Sequence, residues 1–143
     1  MTKENFKTLE IPKNYKPKKS EPYMCPMQLA YFYNILTAQK EELLSERDSV
    51  LNAVRLADKT ESVGVGDESD NATYNQDITL DLRISERNNK LLAKINAALD
   101  RMDSGDFGYS IVSGDEIGLQ RMLARPLATM TIEEQEEYEQ RKN

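Results

Sequence analysis

The chain has 143 residues and a formal charge of −6, with 38% hydrophobic, 31% charged and 7% aromatic side chains and no tryptophan. That size fits one domain with an appendage at most, and so lean a hydrophobic content suits an elongated helical protein in which each helix buries only a stripe. The acidic balance excludes binding nucleic acid by bulk electrostatics, and one cysteine (Cys25) with no histidine excludes the usual transition-metal, Cys–His and Ser–His–Asp sites.

No run approaches the roughly 18 apolar residues of a membrane span, and no apolar segment follows the N-terminus as a signal peptide requires. A soluble, cytoplasmic protein is expected, and the single Cys25 fits a reducing compartment. There is no glycine-rich phosphate loop. No enzymatic activity and no catalytic residue are expected.

In chain order, residues 1–22 read as a mobile basic tail: the first twenty hold six lysines, two acids, Pro12 and Pro17. Pro22 to Pro26 is a connector, and Pro26 suits a first helical turn, where its missing N–H has no partner to lose. Met27 to about Ala57 then reads as helix. Leu29, Leu36, Leu43, Val50 and Ala57 recur every seven residues, with Phe32 and Ala53 on a companion line that Gln39 and Glu46 weaken. Ile35, Leu44 and Leu51 widen the stripe. This is a heptad seam with polar interruptions, as in an intramolecular coiled coil.

Lys59 to Ala72 (KTESVGVGDESDNA) is the turn on which the chain reverses. Gly64 and Gly66 break helix at low steric cost, and Asp67, Ser69 or Asp70 can cap the helix that follows. Thr73 to about Asp103 is the returning arm, with Leu80, Ile84, Leu91, Ile95, Ala98 and Met102 at three- and four-residue steps and Leu92 and Leu99 alongside. About thirty residues of helix span roughly 45 Å, so the turn is expected to hold its acids, Asp67, Glu68 and Asp70, far from the rest of the chain.

After Ser104 and Gly105 the segment Asp106 to Pro126 changes character: three glycines, Phe107, Tyr109 and a compact set of aliphatic residues make a small loop-rich globule, with a helical turn near Leu119 to Leu123. Thr131 opens a last, Glu-rich helix, with Glu134 completing a capping-box pattern.

Several short motifs fall in a telling order: Gln28-Leu29-Ala30 to Ile35-Leu36, Asp67-x-x-Asp70-x-Ala72, Asp106-Phe107-Gly108-Tyr109, Glu116-Ile117-Gly118 and Ala124-Arg125-Pro126. Together they resemble the DksA/TraR family of bacterial transcription regulators, from about Tyr23 to the C-terminal helix. The resemblance implies a mainly α fold: a long antiparallel coiled-coil hairpin over 23–104 with its tip at 59–72, a small globular base over 105–130 and a C-terminal helix over 131–143. It implies a monomer that binds RNA polymerase directly, without sequence-specific DNA contacts and away from membranes. The hairpin enters the secondary channel and alters open-complex stability, and the tip motif carries that role onto Asp67, Asp70 and Ala72.

Two departures follow from the same resemblance. Relatives usually carry two Cys-x-x-Cys pairs, a tetrahedral zinc signature. Here the first pair falls on Ser110 and Ser113 and the second on Thr131 and Glu134, so no structural metal is expected. The globule must then be held by packing, with Phe107, Tyr109, Ile111, Ile117, Leu119, Leu123, Leu127 and Met130 as the expected core. The second departure concerns guanosine tetraphosphate (ppGpp), the stringent-response nucleotide that the resemblance places at the polymerase interface and the one small molecule expected here. Leu91, Lys94 and Arg125 match that interface, whereas a third basic position is Gln135, a neutral amide. From the residues alone, a coiled-coil scaffold or adaptor with an acidic loop is the rival, and a transcript-cleavage-type channel factor shares the hairpin geometry.

Overall fold

The structure, a computed structural model, describes residues 5–61 and 68–142, with side chains over 6–56, 75–77 and 79–142. It is mainly helical: α1 (Asn5–Thr8), α2 (Pro26–Glu61), α3 (Glu68–Ser104), α4 (Leu119–Ala124) and α5 (Ile132–Lys142). No strand occurs among the described residues, and Tyr109 and Glu116 form one antiparallel bridge.

The two long helices run further toward the reversal than their periodicity predicts, α2 ending at Glu61 and α3 starting at Glu68. Helix breakers decide these ends: Lys59 to Glu61 and Glu68 to Ala72 contain none, while Gly64 and Gly66 fall in 62–67, outside the described residues. Ser69 and Asp70 lie inside α3 and are not its caps. Pro26 occupies the first position of α2.

The chain forms two compact units, Met1–Thr37 with Lys94–Asn143, and Ala38–Ala93. In the first, Ala30, Phe32 and Leu36 of α2 are buried, as are Ile95, Ala98 and Met102 of α3, and Phe107, Ile117, Leu119 and Met122 of the following segment. The Phe32 and Phe107 rings meet at 5.6 Å between centroids. Burying each such large side chain contributes about 1.5–3 kcal/mol. The expected core of the globule needs three corrections. Ile111 is 64% exposed on a tight turn and Leu123 is also exposed, whereas Met122, one residue earlier on α4, is fully buried.

Within the segment read as a mobile tail, several described side chains are packed. Phe6 is 3% exposed, and its ring meets Tyr33 edge to face at 5.7 Å. Tyr15 packs against Tyr31 and donates its hydroxyl to Glu21 at 2.9 Å. Lys7 pairs with Asp103 at 2.7 Å, a solvent-exposed contact worth at most about 1 kcal/mol. Aromatic anchors thus outweigh a lysine-rich composition, which measures only the average residue.

In the second unit the seam keeps part of the expected line on α2 and departs from it on α3. On α2 the half-buried positions are Lys40, Leu43, Leu44, Val50 and Val54, so the expected Leu43, Leu44 and Val50 hold, while Gln39, Glu46, Leu51 and Ala53 are exposed. On α3 they are Asp81, Ser85, Asn88 and Leu92, while Leu80 (56%), Ile84 (46%) and Leu91 are exposed. The α3 line steps by four, three and four residues, so heptad spacing holds there with a different residue set. Asn88 Nδ2 donates to Glu46 Oε2 at 2.9 Å, a polar tie that pins the antiparallel register.

Candidate functional site

Of the tip residues, Asp67 lies outside the described residues. Asp70 and Ala72 fall within the first turns of α3, with side chains outside those described.

The second candidate region grows out of the end of α3. Gly105, at φ +85°, takes the left-handed position that terminates the helix, and the N–H groups of Asp106 and Phe107 close on the Arg101 carbonyl at 2.8 and 3.1 Å. The Arg101 guanidinium donates to the carbonyls of Asp106 and Tyr109, and its burial lowers its proton affinity. The chain then turns at Gly108 (φ +88°), where a Cβ would lie 2.9 Å from Met24 Cε and 3.0 Å from the Tyr23 hydroxyl.

Tyr23 explains why that approach is so close. Its hydroxyl donates to the Gly108 carbonyl at 2.6 Å and accepts the Gly118 N–H at 3.1 Å, while its ring meets Tyr109 edge to face at 5.6 Å. Ile117 N–H donates to the same Gly108 carbonyl at 2.9 Å. Burial raises the Tyr23 pKa, opposed by the Gly118 N–H, so the phenol stays protonated and able to donate. Sequence reading missed Tyr23 and Arg101 as organisers of this turn. The Gly108 and Gly118 positions hinted at a tight loop, but no local signal names a partner as distant in the chain as Tyr23.

The four positions that align with the family's cysteine pairs come together. Ser110, 6% exposed, accepts the N–H groups of Val112 (3.1 Å) and Ser113 (3.3 Å) at its Oγ. Thr131 N–H donates to Glu134 Oε1 at 3.0 Å and Glu134 N–H donates to Thr131 Oγ1 at 3.2 Å, completing the expected capping box. The polar groups of Ser110 first and the Thr131 N–H next hold Glu134 below the usual carboxylate range. Three neutral hydroxyls and one carboxylate already engaged by hydrogen-bond donors do not fit zinc, which takes thiolate or imidazole ligands. Among the described residues no group of three or more His, Cys, Asp or Glu side chains is placed to hold a metal ion.

Leu91 and Lys94 are exposed and three residues apart on α3. Arg125 is exposed just beyond α4, its N–H bonded to the Arg121 carbonyl at 2.7 Å. Gln135 spends its amide on Glu139 at 3.1 Å, one turn along α5.

Comparison with known proteins adds three findings. Residues 28–102 match the family model of the DnaK suppressor protein DksA, N-terminal domain. An RNA polymerase-binding transcription factor DksA from Caulobacter vibrioides (strain NA1000 / CB15N) is 41% identical over 128 residues, covering 90% of this chain and 87% of the relative. The protein of the same name from Escherichia coli (strain K12) is 35% identical over 119 residues, covering 83% and 76%. Among solved structures, transcription factor DksA2 from Pseudomonas aeruginosa is similar with a TM-score of 0.73 at 35% identity, covering 86% of this chain and 94% of that one.

Proposed function

The chain belongs to the DksA family, and on that premise we propose that it is a transcription regulator that binds RNA polymerase directly and has no covalent chemistry of its own. The observation that carries the proposal is the family match over 28–102, which spans the reversal and most of both long helices. In this reading the hairpin tip enters the secondary channel of the polymerase. There Asp67 and Asp70 act beside the catalytic centre, where carboxylates near bound metal or basic side chains bias mobile elements strongly because water is scarce. The outcome is a changed open-complex lifetime and a changed rate of initiation, produced by a monomer working in the cytoplasm.

Lys94 and Arg125 are two basic groups suited to phosphate, with Leu91 beside Lys94 on α3. Gln135 supplies no charge and its amide is occupied by Glu139. The expected response to ppGpp is therefore weaker than in a relative with a third basic side chain. The test is in-vitro transcription with purified polymerase from the same source, with and without ppGpp, recording open-complex lifetime at a ribosomal-RNA promoter. An altered lifetime is the expected result. An unchanged lifetime, with no competition against another channel-binding factor, would remove the proposal and leave the scaffold reading.

A further inference from the structure

We propose that Lys13, Lys16, Lys18 and Lys19 form a fixed basic arc that contacts the phosphate backbone of duplex DNA without reading its sequence. All four side chains are exposed, and residues 13–19 contain no acid. The segment therefore carries four positive charges in a chain of net −6, which leaves −10 on the remaining residues. Like charges so closely spaced repel one another, and a lysine-rich arm without anchors stays loose. Here the backbone is held. Tyr15 N–H closes a turn on the Pro12 carbonyl at 3.0 Å, and Glu21 N–H closes another on the Lys18 carbonyl at 3.1 Å. Gln28 of α2, 1% exposed, donates its Nε2–H to the Lys18 carbonyl at 3.1 Å and accepts the Met24 N–H at 2.9 Å. The Glu21 carboxylate, folded against the segment, accepts the Lys18 N–H and the Tyr15 hydroxyl, each at 2.9 Å. A buried amide and a carboxylate thus fix the stretch that carries the four ammonium groups.

What the arc withholds selects the partner. Pro17 is buried, and the Tyr15 ring packs on Tyr31 at 6.2 Å between centroids, so the large apolar groups of 13–19 are turned inward. Ammonium charge is left outward, with Asn14 among it. Protein interfaces are depleted in lysine and centred on aromatic and arginine side chains, which makes an acidic protein a poor match. A single strand needs a free ring on which its bases stack, and the segment offers none. Duplex phosphates need only point charges along a backbone. The net charge of the whole chain opposes such binding, whereas a local arc confines it to one face. The choice of DNA over duplex RNA rests on the reading of the chain as a transcription regulator; the phosphate chemistry does not.

The experiment uses the full chain without polymerase, so its failure leaves the polymerase reading untouched. Fluorescence anisotropy follows titration into a labelled 30-base-pair duplex DNA of mixed sequence, from 25 to 200 mM salt. Binding is expected at about 10⁻⁴ to 10⁻⁶ M, equal for two unrelated sequences, with a log–log salt slope near −3.6, about −0.9 for each of four phosphate contacts. The variant K13Q/K16Q/K18Q/K19Q is expected to bind at least about tenfold more weakly, with a slope near zero. A control with the same change in net charge, R55Q/R83Q/K90Q/K142Q, is expected to bind as the parent does. Equal losses in the two variants would make the effect one of net charge and overturn the arc. No binding by the parent at 25 mM salt overturns it too. So does equal or tighter binding to poly-glutamate, to single-stranded DNA or to duplex RNA. Circular dichroism checks that the variants fold; if the four-lysine variant does not, K13Q/K16Q and K18Q/K19Q decide, each expected to halve the salt slope, and an unchanged slope in both refutes the proposal.

Discussion

At Gly108 the backbone angle of +88° and the space above Cα act together. A methyl group there meets Met24 Cε at 2.9 Å and the Tyr23 hydroxyl at 3.0 Å in a conformation that L-residues avoid. Gly108→Ala is expected to cost about 2 kcal/mol or more, read as a lower urea midpoint, because the left-handed backbone alone costs about 1–2 kcal/mol. Tyr23→Phe keeps the ring but leaves the Gly118 N–H without its partner and the Gly108 carbonyl with only the Ile117 N–H; the expected loss is about 1–3 kcal/mol in the same measurement. Acid lability belongs to this scale too. Glu134, through Ser110 first, and Glu21, through the Lys18 N–H first, both sit below the carboxylate value of 4.5. A depressed folded-state pKa stabilises the fold above the unfolded value and loses that contribution as pH falls through the folded one. The urea midpoint should therefore hold from neutral pH to about 5 and then fall, more shallowly in Glu134→Gln.

Among the elements, α5 was legible locally: Thr131 and Glu134 at a three-residue spacing signalled a capping box, and the reciprocal bonds are there. The long helices were equally legible from their uninterrupted periodicity. Which leucines face inward was not, because positions one residue apart on a helix fit a heptad about equally well until a partner is in place. Leu36 and Leu80 make the contrast measurable. Leu36 is fully buried, so Leu36→Ala is expected to cost about 2–5 kcal/mol. Leu80 is 56% exposed, so Leu80→Ala should change stability by no more than about 0.5 kcal/mol, whereas a seam built on Leu80 would make the two losses comparable.

Across the molecule, burial is unevenly shared between the two compact units. Every buried side chain among those described belongs to Met1–Thr37 or Lys94–Asn143, and none to Ala38–Ala93, whose seam includes Lys40, Asp81, Ser85 and Asn88. Amide hydrogen exchange should accordingly show lower protection at the centres of α2 and α3 within Ala38–Ala93 than at Phe32, Leu36, Ile95 and Met102. Equal protection throughout would mean that the chain opens only as a whole. A second expectation separates docking from regulation: Asp70→Asn with Ala72→Thr should keep polymerase binding in a competition assay and lose the effect on open-complex lifetime. A scaffold would be indifferent to both changes.

The sequence by itself determined what depends on neighbours a few residues away: the two long helices, their reversal, the cap of α5 and the lack of thiolate and imidazole side chains at 110, 113, 131 and 134. It also carried the motifs that place the chain in its family. Only the tertiary structure decided that Asp81, Ser85 and Asn88 take the seam, that Phe6 and Tyr15 tie down a lysine-rich segment, and that the Tyr23 hydroxyl bridges Gly108 and Gly118. The physical reason is range. Helix propensity and capping are settled within a turn or two, whereas burial and hydrogen-bond partnership depend on which distant side chain arrives, and periodicity carries no record of that.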